Sequence, residues 1–135
     1  MTLAGKTALV ASGATMAAVA AMLRGAGARV ETEATLEAAA ARFGGIDIVF
    51  TADADTIHAA LPYLRENGTV IHYGRAAAHP PAALLAPRRI RVNHVVADAF
   101  TPAAVVAEAV LHLASDAAFT AQGEEIVLDS LALAS

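Results

Sequence analysis

The chain has 135 residues, a formal net charge of −4 and no cysteine, so it is long enough for one domain with a buried core and lacks disulfides, thiol nucleophiles and cysteine metal sites. Hydrophobic residues make up 57% and charged residues 16%, against averages of about 45–50% and about 25%, which leaves little polar surface and points to a homo-oligomer joined through apolar helix or sheet surfaces. One lysine gives no electrostatic footprint for nucleic acid, no apolar run approaches a membrane span, and the first residues lack the basic and hydrophobic regions of a signal peptide, so a cytoplasmic location is expected.

Residues 6–15 begin as a short buried-strand pattern, end in small residues and pass into an alanine-rich helix over 16–23. Gly25 and Gly27 close that helix, residues 28–31 give a second strand, and 34–43 form another helix stopped by Gly44 and Gly45. The near-continuous apolar run 46–51 suits a parallel strand covered on both faces. A helix is predicted around 55–66, ending at Asn67-Gly68, and 69–73 is the next strand. A Pro-rich segment over 75–89 follows, in which 80–86 can make about two helical turns; then come strand 90–96, helix 102–115 starting near Pro102, and strand 125–128. Such alternation predicts one α/β domain over residues 1–135, doubly wound in three layers around a mostly parallel sheet of about six strands.

The same residues resemble the short-chain dehydrogenase/reductase family along nearly the whole chain. Residues 3–10 resemble its opening strand, 43–49 the lead-in to its Asn-Asn-Ala-Gly strand, and Ile90-Arg-Val-Asn93 its sixth strand. Leu113-Ala-Ser-Asp-Ala-Ala118, then Gly123 and Ile126-Val-Leu-Asp129, follow its last helix and strand. The resemblance implies a Rossmann-like fold. It also implies a truncated and degenerate member, because the family is nearly twice as long and has seven strands.

Three departures bear on activity. The family's phosphate loop, Thr-Gly-x-x-x-Gly-x-Gly, is matched here by residues 11–18, which keep only Gly13; glycines in such a loop permit the tight turn and the close approach to a pyrophosphate. Thr51-Ala-Asp-Ala54 stands where the family has Asn-Asn-Ala-Gly. The Tyr-x-x-x-Lys pair is absent, since Tyr63 is followed four residues on by Asn67 and Tyr73 by Ala77, and Lys6 lies ahead of the first strand. Without an ammonium group to lower a phenol pKa, neither tyrosine is an evident proton donor at neutral pH. The family's catalytic serine position falls near Gly74 or Arg75, and its long catalytic helix has shrunk into residues 75–89, so the sheet face it covers should be partly bare.

Ligands of parallel α/β sheets lie outside the carboxyl ends of the strands, which makes Asp53, Asp55, His72, Tyr73 and Asp98 the candidates for acid/base chemistry and Arg75 the candidate for an anionic substrate group. If a dinucleotide binds, Ser12, Gly13 and Thr15 would meet its phosphates and Glu31 its ribose hydroxyls. His79, His94 and His112 read as structural or surface residues, and the His/Asp spacings fit no metal motif. Arg88-Arg-Ile-Arg91, the one basic cluster, reads as arginines flanking a strand start ahead of an anion site. The leading expectation is a non-redox protein without cofactor that binds a small organic molecule in a remodelled cleft, with proton-transfer chemistry of the isomerase, cyclase or lyase kind. The alternatives are a non-catalytic assembly partner and an NAD(H)- or NADP(H)-dependent oxidoreductase with an atypical proton donor.

Overall fold

The computed structural model describes residues 2–11, 14–75 and 80–128. Six strands, β1 (Thr7–Val10), β2 (Arg29–Glu31), β3 (Ile46–Thr51), β4 (Leu64–Tyr73), β5 (Arg91–Ala97) and β6 (Glu125–Leu128), form one parallel sheet in the order β2-β1-β3-β4-β5-β6. Helices α1 (Ala14–Gly25) and α5 (Ala103–Ala114) cover its first face, and α2 (Leu36–Phe43), α3 (Ala54–Ala60) and the single turn α4 (Ala82–Leu85) cover its second. The strand order reverses between β1 and β3, which places a ligand crevice above their carboxyl ends.

Alternation along each strand feeds two cores. Val10, Phe50, Ile71 and Val95 meet Val19, Leu23, Val106 and Val110 on the first face, while Leu9, Val49, Val70 and Val92 meet Phe43, Ile57, Leu61 and Leu85 on the second. No helix among the described residues is long and apolar enough to cross a membrane.

Two element ends are set by side chains. Thr35 opens α2 by accepting the Ala38 N–H at 3.1 Å, and Gly44, at φ 74°, closes it in the left-handed region. The helix expected around 55–66 stops at Ala60. Pro62 has no N–H to continue it, and the chain makes a 3₁₀ turn at Leu61–Tyr63 before β4 starts at Leu64. Arg88 donates to the carbonyls of Leu61 and Leu64 at 2.7 and 2.8 Å, fixing that turn. Between the Ile46/Leu64 and Ile48/Thr69 pairs the register of β4 slips, and Asn67 takes φ 65° within the slip.

The segment that replaces the long helix is α4 followed by a 3₁₀ turn at Ala86–Arg88, about the two turns expected of residues 80–86. Residues 76–79, including His79, lie outside the described residues. The second face is thin at the far edge of the sheet, where Val127 of β6 remains 59% exposed.

Candidate active site at the strand ends

Strands β3 to β6 each place one polar residue at the same register position on the second face. Thr51 pairs with His72, His72 with His94, and His94 with Glu125. At the centre of this row the two imidazoles meet edge to face, with ring centroids 5.2 Å apart and an interplanar angle of 86°. Their Nδ1 atoms are 3.1 Å apart, so one of the two carries a proton and the other accepts it. His72 is 5% exposed and His94 fully buried.

Gly74 caps the pair. A Cβ there would lie 3.0 Å from His72 Cε1 and 3.3 Å from Nε2, and the backbone has φ 147°, so a residue without a side chain is required. At one end of the row Glu125 faces Arg75, with Oε1 4.0 Å from Nη1. At the other end Thr51 Oγ1 accepts the Asp53 N–H at 3.0 Å.

Thr51 also borders a cleft of about 220 Å³ above the carboxyl ends of β1 and β3. Leu9, Ala34, Leu36 and Phe50 make it largely apolar, and Thr51 and Thr56 supply hydroxyls. An apolar hollow with a few converging polar groups is the usual form of a small-molecule site.

The sequence candidates are not gathered into one site. Asp53 is the N-cap of α3, its Oδ1 accepting the Asp55 N–H at 3.0 Å, and Asp55 is exposed in the first turn. Asp98 is exposed and holds a turn, accepting from Phe100 N and Thr101 Oγ1, both at 2.9 Å. The carboxylate in register with His94 is therefore that of Glu125, on the neighbouring strand. Tyr73 follows His72 directly, and the two-residue period sends it to the other face, where it packs on Phe50 with ring centroids 6.0 Å apart. Arg75 is exposed beside Glu125. Thr15 is half-buried in α1, and Glu31 is held by Arg42 at 2.6 Å; Ser12 and Gly13 lie outside the described residues. His94 and Glu125 are the residues that single-position reading passed over. A polar residue two positions from a valine in each of four strands (Val49/Thr51, Val70/His72, Val92/His94, Glu125/Val127) is the signal that could have found them.

The residues present fit one end of a nicotinamide dinucleotide. The apolar cleft could take an adenine-like ring. The acid at the end of β2 is already paired with Arg42, and Tyr73 is turned away from the histidine row. Tyr63 is no substitute donor, because loss of hydration and the Glu37 carboxylate, 3.3 Å from its hydroxyl, raise its pKa. The reactive end of such a cofactor thus lacks a Tyr/Lys pair, and the residue set does not fit it. Among the described residues no group of three or more His, Asp or Glu could hold a metal ion.

No family model matches the chain, and no curated protein does. Solved structures are similar throughout. A short-chain dehydrogenase/reductase from Serratia marcescens superposes with a TM-score of 0.74 at 19% identity, covering 96% of this chain and 98% of that one. LugOII, described as a promiscuous reductase catalysing keto-reduction at C1 during lugdunomycin biosynthesis, gives 0.71 at 19%, covering 98% and 99%. The angucycline C-6 ketoreductase LanV, with bound NADP, gives 0.71 at 19%, covering 94% and 95%. The chain has the fold of the short-chain dehydrogenases/reductases, in a truncated six-stranded form.

Proposed function

We propose that this protein binds a small organic molecule in the cleft above β1 and β3 and moves a proton on it without a redox cofactor. The observation that carries this reading is the buried His72–His94 hydrogen bond, in register with the cleft residue Thr51 on one side and Glu125 on the other.

In this mechanism His72 Nδ1–H donates to His94 Nδ1, which leaves Nε2 of His72 as the base. Proton uptake at Nε2 makes an imidazolium that His94 stabilises as hydrogen-bond acceptor, with the Glu125 carboxylate behind it. His94 and Glu125 are positioning residues and His72 is the catalytic residue. A histidine base removes a proton from carbon only where the carbanion is stabilised, so the substrate class is a carbonyl compound with an acidic C–H. Return of the proton to a different carbon completes an isomerisation with no net oxidation. The low charge content and the exposed Val127 at the sheet edge fit a homo-oligomer.

A second reading, binding of NAD(H) or NADP(H), is favoured by the NADP bound to LanV and by the apolar cleft. Thermal unfolding with about 1 mM of either dinucleotide separates the two, since a ligand at 100 times its dissociation constant stabilises by about 2.7 kcal/mol. A clear upward shift would favour the dinucleotide. The proton-transfer reading predicts no such shift, together with solvent deuterium exchange into small enones that is lost in His72→Phe; exchange unaffected by His72→Phe would remove the catalytic role.

A further inference from the structure

The opposite, amino ends of the strands border a cavity of about 600 Å³, at the other end of the strands from the cleft. Its walls come from the starts of β1, β3 and β5, from the register slip of β4 and from the turn after α5. Three observations about these walls converge.

The first concerns charge. Arg91 is only 8% exposed, and its hydrogen-bond acceptors among the described residues are neutral: Nη1 donates to the carbonyls of Leu113 and Ala118. Burial holds its pKa below the usual arginine range, an effect that the Asp116 charge partly offsets. Neighbouring Arg89 has an exposed side chain that makes no ion pair among the described residues. Two of the acids on the walls are already engaged. Asp47 accepts from Thr7 N at 2.9 Å and Arg65 Nη1 at 3.2 Å, and Asp116 pairs with Lys6 at 2.9 Å. A nearly buried guanidinium with the Asp116 charge nearby but no carboxylate in direct contact gains from an anion that joins it.

The second is backbone strain. Asn67 at φ 65° and Arg89 at φ 55° are the two non-glycine residues with positive φ among the described residues, and both line this cavity. Strain of this kind gathers at ligand sites, where the surrounding structure enforces it. The third is an exposed aromatic rim, since Phe119 borders the cavity while remaining open to solvent.

We propose that the amino-end cavity binds a small organic oxyanion, a carboxylate or a phosphate ester, with its charge on Arg91 and Arg89 and its body against Phe119. Arg91 supplies the desolvated, directional contact and Arg89 the contact at the mouth. This site is independent of the histidine row.

Titration calorimetry and thermal unfolding with inorganic phosphate and with succinate, at ionic strength matched with sodium chloride, test it. At least one probe should bind and raise the melting temperature by a few degrees at saturation. Arg89→Gly removes one guanidinium and relieves the left-handed backbone, so the variant should fold at least as well as the wild type and bind about tenfold more weakly. Arg91→Met should abolish binding; if it fails to fold, Arg89→Gly decides. Binding of phosphate alone or of succinate alone supports the site and names its anion class. No binding of either probe, an effect that chloride reproduces, or equal affinity in Arg89→Gly would overturn it. His72→Phe should leave anion binding unchanged, which keeps failure here distinct from failure of the proton-transfer reading.

Discussion

The His72–His94 hydrogen bond makes a quantitative prediction for stability. Replacing His94 by alanine removes a fully buried ring, forfeits a bond worth about 0.5–1.5 kcal/mol net, and leaves His72 Nδ1 without that partner at a cost of about 1–3 kcal/mol. The orphaning cost already contains the lost bond, and the lost packing adds about 2 kcal/mol, below the roughly 3–5 kcal/mol seen for larger rings. Each single variant, His72→Ala or His94→Ala, should therefore lose about 3–5 kcal/mol, within what a domain of ordinary stability survives. In the double variant neither ring remains to be orphaned, so its loss should fall short of the sum of the singles by about 1–3 kcal/mol. Urea unfolding of all four proteins measures this coupling directly. Losses that add to within about 0.5 kcal/mol would mean that the imidazoles do not interact, and the proposed relay would go with them.

Gly74→Ala should destabilise by about 1–3 kcal/mol, from the backbone at φ 147° and from the 3.0 Å approach of a Cβ to His72 Cε1. In a His72→Ala background only the backbone share should remain; an equal loss in both backgrounds, read from thermal melts, would show that the glycine does not seat the histidine. At the amino end, the hydrogen bond and charge of Lys6 hold the Asp116 carboxyl below the usual carboxylate range. A depressed carboxylate pKa stabilises the fold above the unfolded-state value and loses that contribution as pH falls through the folded one. Wild type should therefore be slightly more stable than Asp116→Asn at neutral pH, with the gap closing as pH falls below about 4 and shrinking with salt. A gap that ignores pH would remove the ion pair from the account.

Much of the architecture was legible because each strand is a dense local signal. The run 46–51 and the strand 125–128 have the bounds read from sequence, and the six-strand sheet follows from the absence of room for another crossover after Glu31. The overlong helix around 55–66 failed at Pro62, where a missing N–H outweighed the apolar pattern around it. The site was less legible, for a geometric reason. His72 and Tyr73 are adjacent in sequence and look like partners, yet adjacency in a strand guarantees opposite faces. Thr51, His94 and Glu125 are distant in sequence, and only the register of four parallel strands brings them into line. Register across a parallel sheet is set by the crossovers and their packing, which no local window contains.

The shortened segment after β4 and the polar row belong to one account of the second face. The apolar cluster around Leu85 extends along β4 and β5 as far as Val70 and Val92. One step further on the same face the residues are His72 and His94, and on the thinly covered edge strand Glu125 lies in register with them. Where a helix packs on a sheet, polar side chains are disfavoured because each needs a partner in a dry interior. Here His72 and His94 are partners for one another through their Nδ1 atoms, while His94 Nε2 is buried with no hydrogen bond among the described residues and Glu125, on the edge strand, faces Arg75. The buried Nδ1–Nδ1 contact orients the His72 ring before any ligand arrives, which is the feature that the proposed proton transfer uses.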